Sequence, residues 1–398
     1  MPVFLSSLIN ALAVAFIALV FFLGIGSGIV STSTPPQVEK AQTPKETSSI
    51  ASTTTNVKEL TPAEPTKKEE KKVALPEPQK PKNVSLPQIE PPKIAESIKI
   101  TVNQDPEPKV EPIPSASEVN ELARNATVNI LCTTNSSSIH SITGSGVIID
   151  NRGVILTNAH IGQYFLLKDY PTSNNVECVI RVGSPAVTRY KGELIFISPD
   201  WIKNNSQNLK QEDPKGTGEN DFALIAITGT TNPNTSLPSS FPFVSPSIDE
   251  LSESGAINDD YVIAGYPAGF LGGISVLKDL FITSTVLRPK QLYTFGTNTI
   301  DLISFGGNIL AQKGASGSAV VRQKDKRIVG LIVTTTEEAS TGERELYAIT
   351  LPHINRSMLI SIGISLPEYT SGNINFRIKE FNSLLFEPLK KILTGALN

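Results

Sequence analysis

Histidine is the side chain best suited to moving protons near neutral pH, and the chain holds three: His140, His160 and His353. Serine is common, but one serine is set apart by its neighbours. Lys313-Gly314-Ala315-Ser316-Gly317-Ser318-Ala319-Val320 follows a strand-like segment and runs directly into another. Glycines on both sides of a serine permit unusual backbone angles and the close approach of another molecule. Such a turn exposes the Ser316 hydroxyl and aims the Gly314 and Ser316 amides at one point, as in an oxyanion hole; an ordinary hairpin loop is the alternative. A serine hydroxyl is a poor nucleophile at neutral pH and needs a base within hydrogen-bond reach, itself held in one tautomer by an acid. His160 ends the run G-V-I-L-T-N-A and sits at a strand end. His140 lies in the serine-rich N-S-S-S-I-H-S-I-T, and His353 follows Leu351-Pro352 at the start of a helix, so both read as surface or capping residues. For the acid, Asp221 stands where the loop G-E-N enters the apolar run F-A-L, with a plain turn or cap role as its alternative.

These residues need elements to position them. From about Glu118 the chain carries roughly a dozen short β-branched and aromatic runs, among them ATVNILCTT, GVILTNAH, VECVIRV, DFALIAIT, YVIAGYP and RIVGLIVTTT, separated by Gly, Pro, Asn and Asp clusters. Close spacing with little helical periodicity predicts an all-β fold, sandwich or barrel. The stretch from Asn232 to Gly255, with N-P-N-T-S-L-P-S-S-F-P-F, reads as a seam. The expected architecture is two packed six-stranded antiparallel barrels within 118–365, the first over about 118–245 and the second over about 246–365. A C-terminal helical tail, 366–398, includes an amphipathic helix over Ile374 to Leu397, interrupted near Pro388.

Upstream, no charged side chain appears between Met1 and Val38, and Leu8 to Val30 reads LINALAVAFIALVFFLGIGSGIV. That run of about 23 residues is long enough to cross roughly 30 Å of hydrocarbon as a helix. With neither a basic n-region nor a clear small-residue cleavage site, 1–30 reads as a transmembrane anchor, a cleaved signal segment being the alternative. The charge pattern does not set its orientation. Residues 31–117 hold about half of the 29 prolines with balanced Lys and Glu, the composition of a disordered linker. It would reach roughly 50 Å as a coil and about 270 Å as polyproline II.

Composition excludes several classes. A net charge of −3 with 18% charged residues argues against a dedicated nucleic-acid binder. Cys132 and Cys178 are too few for a disulfide scaffold and lack the spacing of a zinc site, so no metal is expected. They lie in two strands of the first barrel and could meet across neighbouring strands; two buried free thiols are the alternative. A disulfide there suits an oxidising exterior.

Taken together, G-S-G-V-I-I-D-N-R-G-V-I-L-T-N-A-H at 144–160, E-N-D-F-A-L-I at 219–225, G-Y-P at 265–267 and G-A-S-G-S at 314–318 resemble the trypsin-like, chymotrypsin-fold serine peptidases. The short T-N-A-H form is closer to bacterial high-temperature-requirement and glutamyl-type members than to digestive trypsins. The resemblance covers roughly Val119 to Ile360 and implies Ser316 as nucleophile, His160 as base and then acid, and Asp221 as the residue orienting the imidazole. It implies Gly314 and Ser316 as oxyanion donors, and a site in the cleft between two barrels. No cofactor is implied.

The sequence departs from the family pattern in places. Ala315 replaces the aspartate that in digestive trypsins receives a newly cut N-terminus, so that mode of activation is not expected. Ser318 stands where glycine is commoner. About 40 residues follow the matched region, too few for the PDZ domain usual in high-temperature-requirement proteases, which puts their oligomeric, peptide-activated regulation in doubt. The resemblance places the pocket floor near Leu310, its rim near Lys313, and a lining strand at Thr334, Thr335 and Thr336. An uncharged floor disfavours a basic P1 residue. A small or apolar P1 is expected, with an acidic P1 favoured by Lys313 as the alternative. The sequence thus predicts a membrane-tethered serine endopeptidase, outside the cytoplasmic membrane, that takes protein or peptide substrates. A catalytically silent trypsin fold serving as an envelope-binding module, and a structural stalk, are the alternatives.

Overall fold

The computed structural model describes residues 112–135, 139–211, 217–296, 298–335 and 344–398, Thr334 and Thr335 by backbone alone. The expected anchor and all of the expected linker before Pro112 lie outside these residues, as does Thr336. Among the described residues no helix is long and apolar enough to cross a membrane.

The first element among the described residues is a helix that the strand pattern does not predict, α1 (Ala116–Ala126). Ser115 and Glu118 form a capping box, each side chain accepting from the other's backbone amide, which satisfies two otherwise orphaned donors. Val119, Ala123 and Ala126 fall on one face and are buried.

Six strands follow: β1 (Thr127–Thr134), β2 (Ile142–Asp150), β3 (Val154–Thr157), β4 (Val176–Val182), β5 (Val187–Ile197) and β6 (Ala223–Thr230). They close into a barrel in the order β1-β2-β3-β6-β5-β4. Its interior is filled by Val128, Ile130, Ile148, Ile155, Ile180 and Ile225 among others. Strands β1 and β4 pair antiparallel with Cys132 opposite Cys178, and the two are joined by a disulfide.

The second half differs from the expected six-stranded barrel. Strands β7 (Tyr261–Gly265), β8 (Thr283–Leu287), β9 (Gln291–Tyr293), β10 (Leu302–Ser304), β11 (Ala319–Arg322), β12 (Arg327–Thr335) and β13 (Leu346–Thr350) form one seven-stranded sheet in the order β8-β7-β11-β12-β13-β10-β9. The edge strands β8 and β9 are separated in sequence only by residues 288–290, a link reaching at most about 14 Å. The sheet must therefore curl until its edges nearly meet, a half-barrel left open along that seam. With three residues each, β9 and β10 are too short to carry the ladder further round.

A shared apolar cluster joins the two sheets: Val147, Leu156, Phe222 and Leu224 meet Val262, Ala264, Leu331 and Val333, with Val119 and Ala123 of α1 packed in.

The remaining helices all pack on this body. Helix α2 (Ala159–Leu166) follows β3, and α3 (Pro199–Asn205) follows β5; α4 (Glu253–Asn258) and α5 (Gly273–Lys278) flank β7. After β13 come α6 (Leu351–Ile362), capped by the Thr350 hydroxyl, and α7 (Leu366–Ser371). The expected C-terminal helix is present as α8 (Ile374–Phe381), a π turn (Asn382–Phe386) and α9 (Glu387–Leu397). Pro388 has no amide hydrogen and its ring would strike the carbonyl four residues back, so the turn before it widens and the helix continues. Phe381, Leu389 and Leu393 are buried against Trp201, Ile202 and Leu209 of the first barrel's outer layer.

Candidate functional site

His160 sits one step further along than the strand end expected from sequence, in the first turn of α2. No side chain of the preceding Asn158 caps that helix. Asp221 does so from a distance: its Oδ1 accepts from the His160 backbone amide at 3.0 Å. Its Oδ2 lies 2.7 Å from the His160 Nδ1. A carboxylate at a helix N-terminus is favoured by the helix dipole, so one group both anchors α2 and fixes the ring. Asn158 Nδ2 donates to the Asp221 carbonyl at 3.0 Å and Gln163 Nε2 to the His160 carbonyl at 3.0 Å, locking both ends of the pair. The Asp221 side chain is 6% exposed and that of His160 22%. The carboxylate is thus shielded while the ring keeps one face to solvent. With Nδ1 held on a carboxylate, Nε2 is the nitrogen left to accept a proton.

Asp221 is presented by a loop that follows a turn at Glu219 and Asn220 and leads into β6. The Ser357 hydroxyl of α6 donates to Asn220 Oδ1 at 2.5 Å, so a helix from the end of the chain braces this loop.

Ser316 lies on the connection between β10 and β11 and is partly exposed, while its neighbours Ala315, Gly317 and Ser318 are buried. Gly314 and Gly317 have φ of +90° and +85°, the left-handed region open to glycine. Space excludes a side chain as well. A Cβ on Gly317 would fall 1.9 Å from the Ser145 carbonyl oxygen, and one on Gly314 would fall 2.7 Å from that of Tyr266.

Three consecutive peptide planes shape this turn. The Lys313 carbonyl accepts from the Ala268 amide at 2.8 Å, and the Ala315 carbonyl from the Ser318 amide at 2.9 Å. Because N–H and C=O point opposite ways across a trans peptide, these two bonds set the directions of the Gly314 and Ser316 amides. The plane between them is held through the Gly314 carbonyl, which accepts from the Ser145 hydroxyl at 2.9 Å. The Ser316 carbonyl in turn accepts from the Ser145 amide at 2.7 Å.

Ser145 also ties this turn to the His160 side of the site. Its carbonyl accepts from the Thr157 hydroxyl at 2.7 Å, at the end of β3 and three residues before His160. Gly144 shows the same closeness: a Cβ there would lie 2.1 Å from Ile161 Cδ1 and 3.5 Å from the Ser316 carbonyl. His160 and Asp221 are thus hydrogen-bonded, and the Ser316 turn is laced to the strand beside them.

The other expected residues fall as follows. Leu310 is fully buried in the second sheet's interior with Ile303, Phe305, Leu346 and Ala348. Lys313 is exposed beside the turn. Thr334 and Thr335 end β12, paired with Tyr347 and Leu346. His140 is exposed between β1 and β2. His353, in the first turn of α6, is instead largely buried, with Nδ1 3.3 Å from Asp301 Oδ1. Burial holds its imidazole below the ordinary histidine range, although the Asp301 carboxylate opposes this. Burial would raise the Asp301 carboxyl, but bonds from the Phe295 amide and the Thr294 and Thr299 hydroxyls bring it below its ordinary value. Tyr266, in the G-Y-P segment, is pushed up to about 12 by burial and donates to the Gly183 carbonyl at 2.9 Å. Among the described residues no group of three or more His, Cys, Asp or Glu could hold a metal ion.

Residues 144–331 match the family model described as "Trypsin-like peptidase domain". This segment is a trypsin-like serine peptidase domain. The crystal structure of Deg5 aligns with 61% of the chain and 93% of its own, at 14% identity and a TM-score of 0.39. No curated protein matches the chain. Within the peptidase domain, Ser145 and Thr157 are the residues whose part in the site sequence reasoning missed. The G-S-G-V and L-T-N-A-H segments that contain them marked the family without telling where their hydroxyls point.

Proposed function

We propose that the chain is a serine endopeptidase in which Ser316 is the nucleophile, His160 the general base and then acid, and Asp221 the group that orients and charge-stabilises the imidazole. The observation that carries this reading is the buried Asp221 carboxylate bonded to both the His160 amide and its Nδ1, beside a strand laced to the Ser316 turn. The Ser316 hydroxyl attacks the scissile carbonyl carbon as its proton passes to His160 Nε2. The oxyanion formed is received by the Gly314 and Ser316 amides. Collapse expels the amine, which takes the proton from Nε2–H and leaves an acyl-enzyme. Water then attacks the ester, giving a proton to His160 Nε2; the bond from Oγ to the acyl carbon breaks, the carboxylic acid product leaves, and Oγ takes the proton from Nε2–H, restoring Ser316.

The apolar run Leu8 to Val30 and the long proline-rich segment support a membrane-tethered domain. The disulfide supports an oxidising, extracytoplasmic setting. A small or apolar P1 residue rests on the resemblance alone, because Leu310 is fully buried and offers no surface to a substrate.

The test is labelling of the full chain with a fluorophosphonate probe, beside Ser316→Ala and His160→Ala. Labelling of the wild type that is lost in both variants is the expected result. A folded wild type that stays unlabelled would make the domain a binding module and overturn the proposal.

A further inference from the structure

Resting on the assignment of the Gly314 and Ser316 amides as oxyanion donors, we propose that the Ser145 hydroxyl is a positioning residue for catalysis, holding the oxyanion turn in its working conformation from the opposite half of the molecule.

The angle between two amides is fixed by the peptide plane that separates them. The Gly314 and Ser316 N–H groups belong to the planes on either side of the Gly314–Ala315 peptide, and that middle plane sets how they converge. The outer planes are held by backbone bonds, Ala268 to Lys313 and Ser318 to Ala315. On the middle plane, the Ala315 amide reaches the Gln312 carbonyl at 3.2 Å, and the Gly314 carbonyl takes the Ser145 hydroxyl at 2.9 Å. Of these four bonds, only the one from Ser145 is made by a side chain. It acts on a plane hinged at Gly314, a residue without a Cβ to resist rotation.

The hydroxyl is itself well oriented. Ser145 is fully buried, and its Oγ accepts from the Tyr266 amide at 2.9 Å while donating to Gly314. With its one proton given to the Gly314 carbonyl and a lone pair filled by Tyr266, the group has a single arrangement that satisfies both neighbours. It sits on β2 of the first barrel, whereas Tyr266 and Gly314 belong to the second half. One side chain therefore bridges the halves at the point where the oxyanion amides must be aimed.

Loss of this hydroxyl leaves the middle plane to the 3.2 Å bond from the Ala315 amide to the Gln312 carbonyl alone, loosening it so that the amides turn away from their common target while Ser316, His160 and Asp221 stay in place. Deleting an oxyanion donor costs about 100- to 1000-fold in kcat. A donor left present but loosely aimed should cost less, roughly 10- to 100-fold.

The experiment compares wild type, Ser145→Ala and Ser145→Thr in the full chain. The readings are kcat and KM on a peptide substrate, per site titrated with fluorophosphonate, and inhibition by a peptide aldehyde, whose adduct needs the oxyanion hole. The expected result for Ser145→Ala is a kcat lowered roughly 10- to 100-fold with KM within about twofold and aldehyde inhibition weakened in step. Ser145→Thr, which keeps the hydroxyl, recovers most of the rate. A merely structural serine would lower the melting temperature and leave kcat per titrated site unchanged, and that outcome overturns the proposal. Should Ser145→Ala fail to fold, Ser145→Cys carries the same test, since a thiol is a poor donor of similar size; full per-site kcat in that variant refutes it equally. If the wild type itself is unlabelled, the catalytic reading fails. If it is labelled and Ser145→Ala acylates at the same rate, the positioning role alone fails.

Discussion

Replacing Asp221 with asparagine changes the site by one atom and should nearly silence it. The carboxylate makes two separate bonds to His160, Oδ1 to the backbone amide at 3.0 Å and Oδ2 to Nδ1 at 2.7 Å. An asparagine amide has one oxygen and one NH2. Its oxygen must face the backbone N–H, which can only donate, so the NH2 is turned toward Nδ1. Nδ1 then has to accept, the ring proton moves to Nε2, and Nε2 can no longer take the Ser316 proton. In enzymes that share this chemistry such a tautomer error lowers kcat about 10,000-fold, equivalent to about 5.4 kcal/mol at 1.36 kcal/mol per decade. Both hydrogen bonds are replaced rather than deleted, so the melting temperature should move little. The second-order rate of fluorophosphonate acylation measures the effect without knowledge of the natural substrate, and Asp221→Asn should label roughly four decades more slowly than wild type at pH 7. Labelling within tenfold of wild type, in protein that melts normally, would refute the claim that Asp221 fixes the tautomer.

Three further outcomes concern stability. The Cys132–Cys178 bridge closes a loop with a sequence separation of 46, worth about 4 kcal/mol from chain entropy. Complete reduction, verified by thiol titration, should lower the melting temperature by about 8 °C or more, and a shift below about 2 °C would show that the barrel does not depend on it. Deletion from Asn375 onward removes the buried Phe381, Leu389 and Leu393, each worth about 1.5–3 kcal/mol, so a large drop in melting temperature is expected; an unchanged value rules out docking of the tail. His353 has its folded pKa lowered from 6.5, chiefly by burial; Arg356 adds to the shift, while Asp301 and Glu219 oppose it. The unfolded chain therefore takes up a proton that the fold resists, and stability falls as pH drops through 6.5 toward the folded value. His353→Gln should flatten the decline in melting temperature between about pH 7 and 5, and parallel declines in both proteins would be contrary to this.

How much was legible in the sequence depends on the range over which each feature is decided. Strand β4 coincides with the run V-E-C-V-I-R-V because apolar and β-branched residues favour a pleated, half-buried strand whichever strands pair with it. Cys132 and Cys178 lie on strands that could be read, and the register then sets them face to face. Helix α1 is not legible from apolar pattern, because a short helix beside a long series of β-branched runs carries little periodicity of its own; only the capping-box spacing of Ser115 and Glu118 marks its start. Helix α2 is hidden for a different reason. Eight residues make a marginal helix alone, and this one is capped by a carboxylate 61 positions away in the chain. Closure of the second sheet was equally illegible: strand count sets how many strands a barrel could have, but not whether a three-residue β9 will reach the other edge.

The Ser145 hydroxyl belongs to this long-range class, its partners lying 169 and 121 positions away at Gly314 and Tyr266. A serine in a strand that reads I-T-G-S-G-V-I-I-D would, on local grounds, point to the interior or to solvent and mean little. Its meaning comes from the glycines around it. Gly144 and Gly146 leave no side chain to hold the neighbouring chain away, since a Cβ at either would strike Ile161 or Ile155. Gly317 lets the turn descend onto the Ser145 carbonyl. The close approach that the flanking glycines permit brings the hydroxyl within reach of the Gly314 carbonyl. The same small residues that mark the turn as unusual in sequence are therefore the physical reason that one half of the molecule can set the geometry of a turn carried by the other.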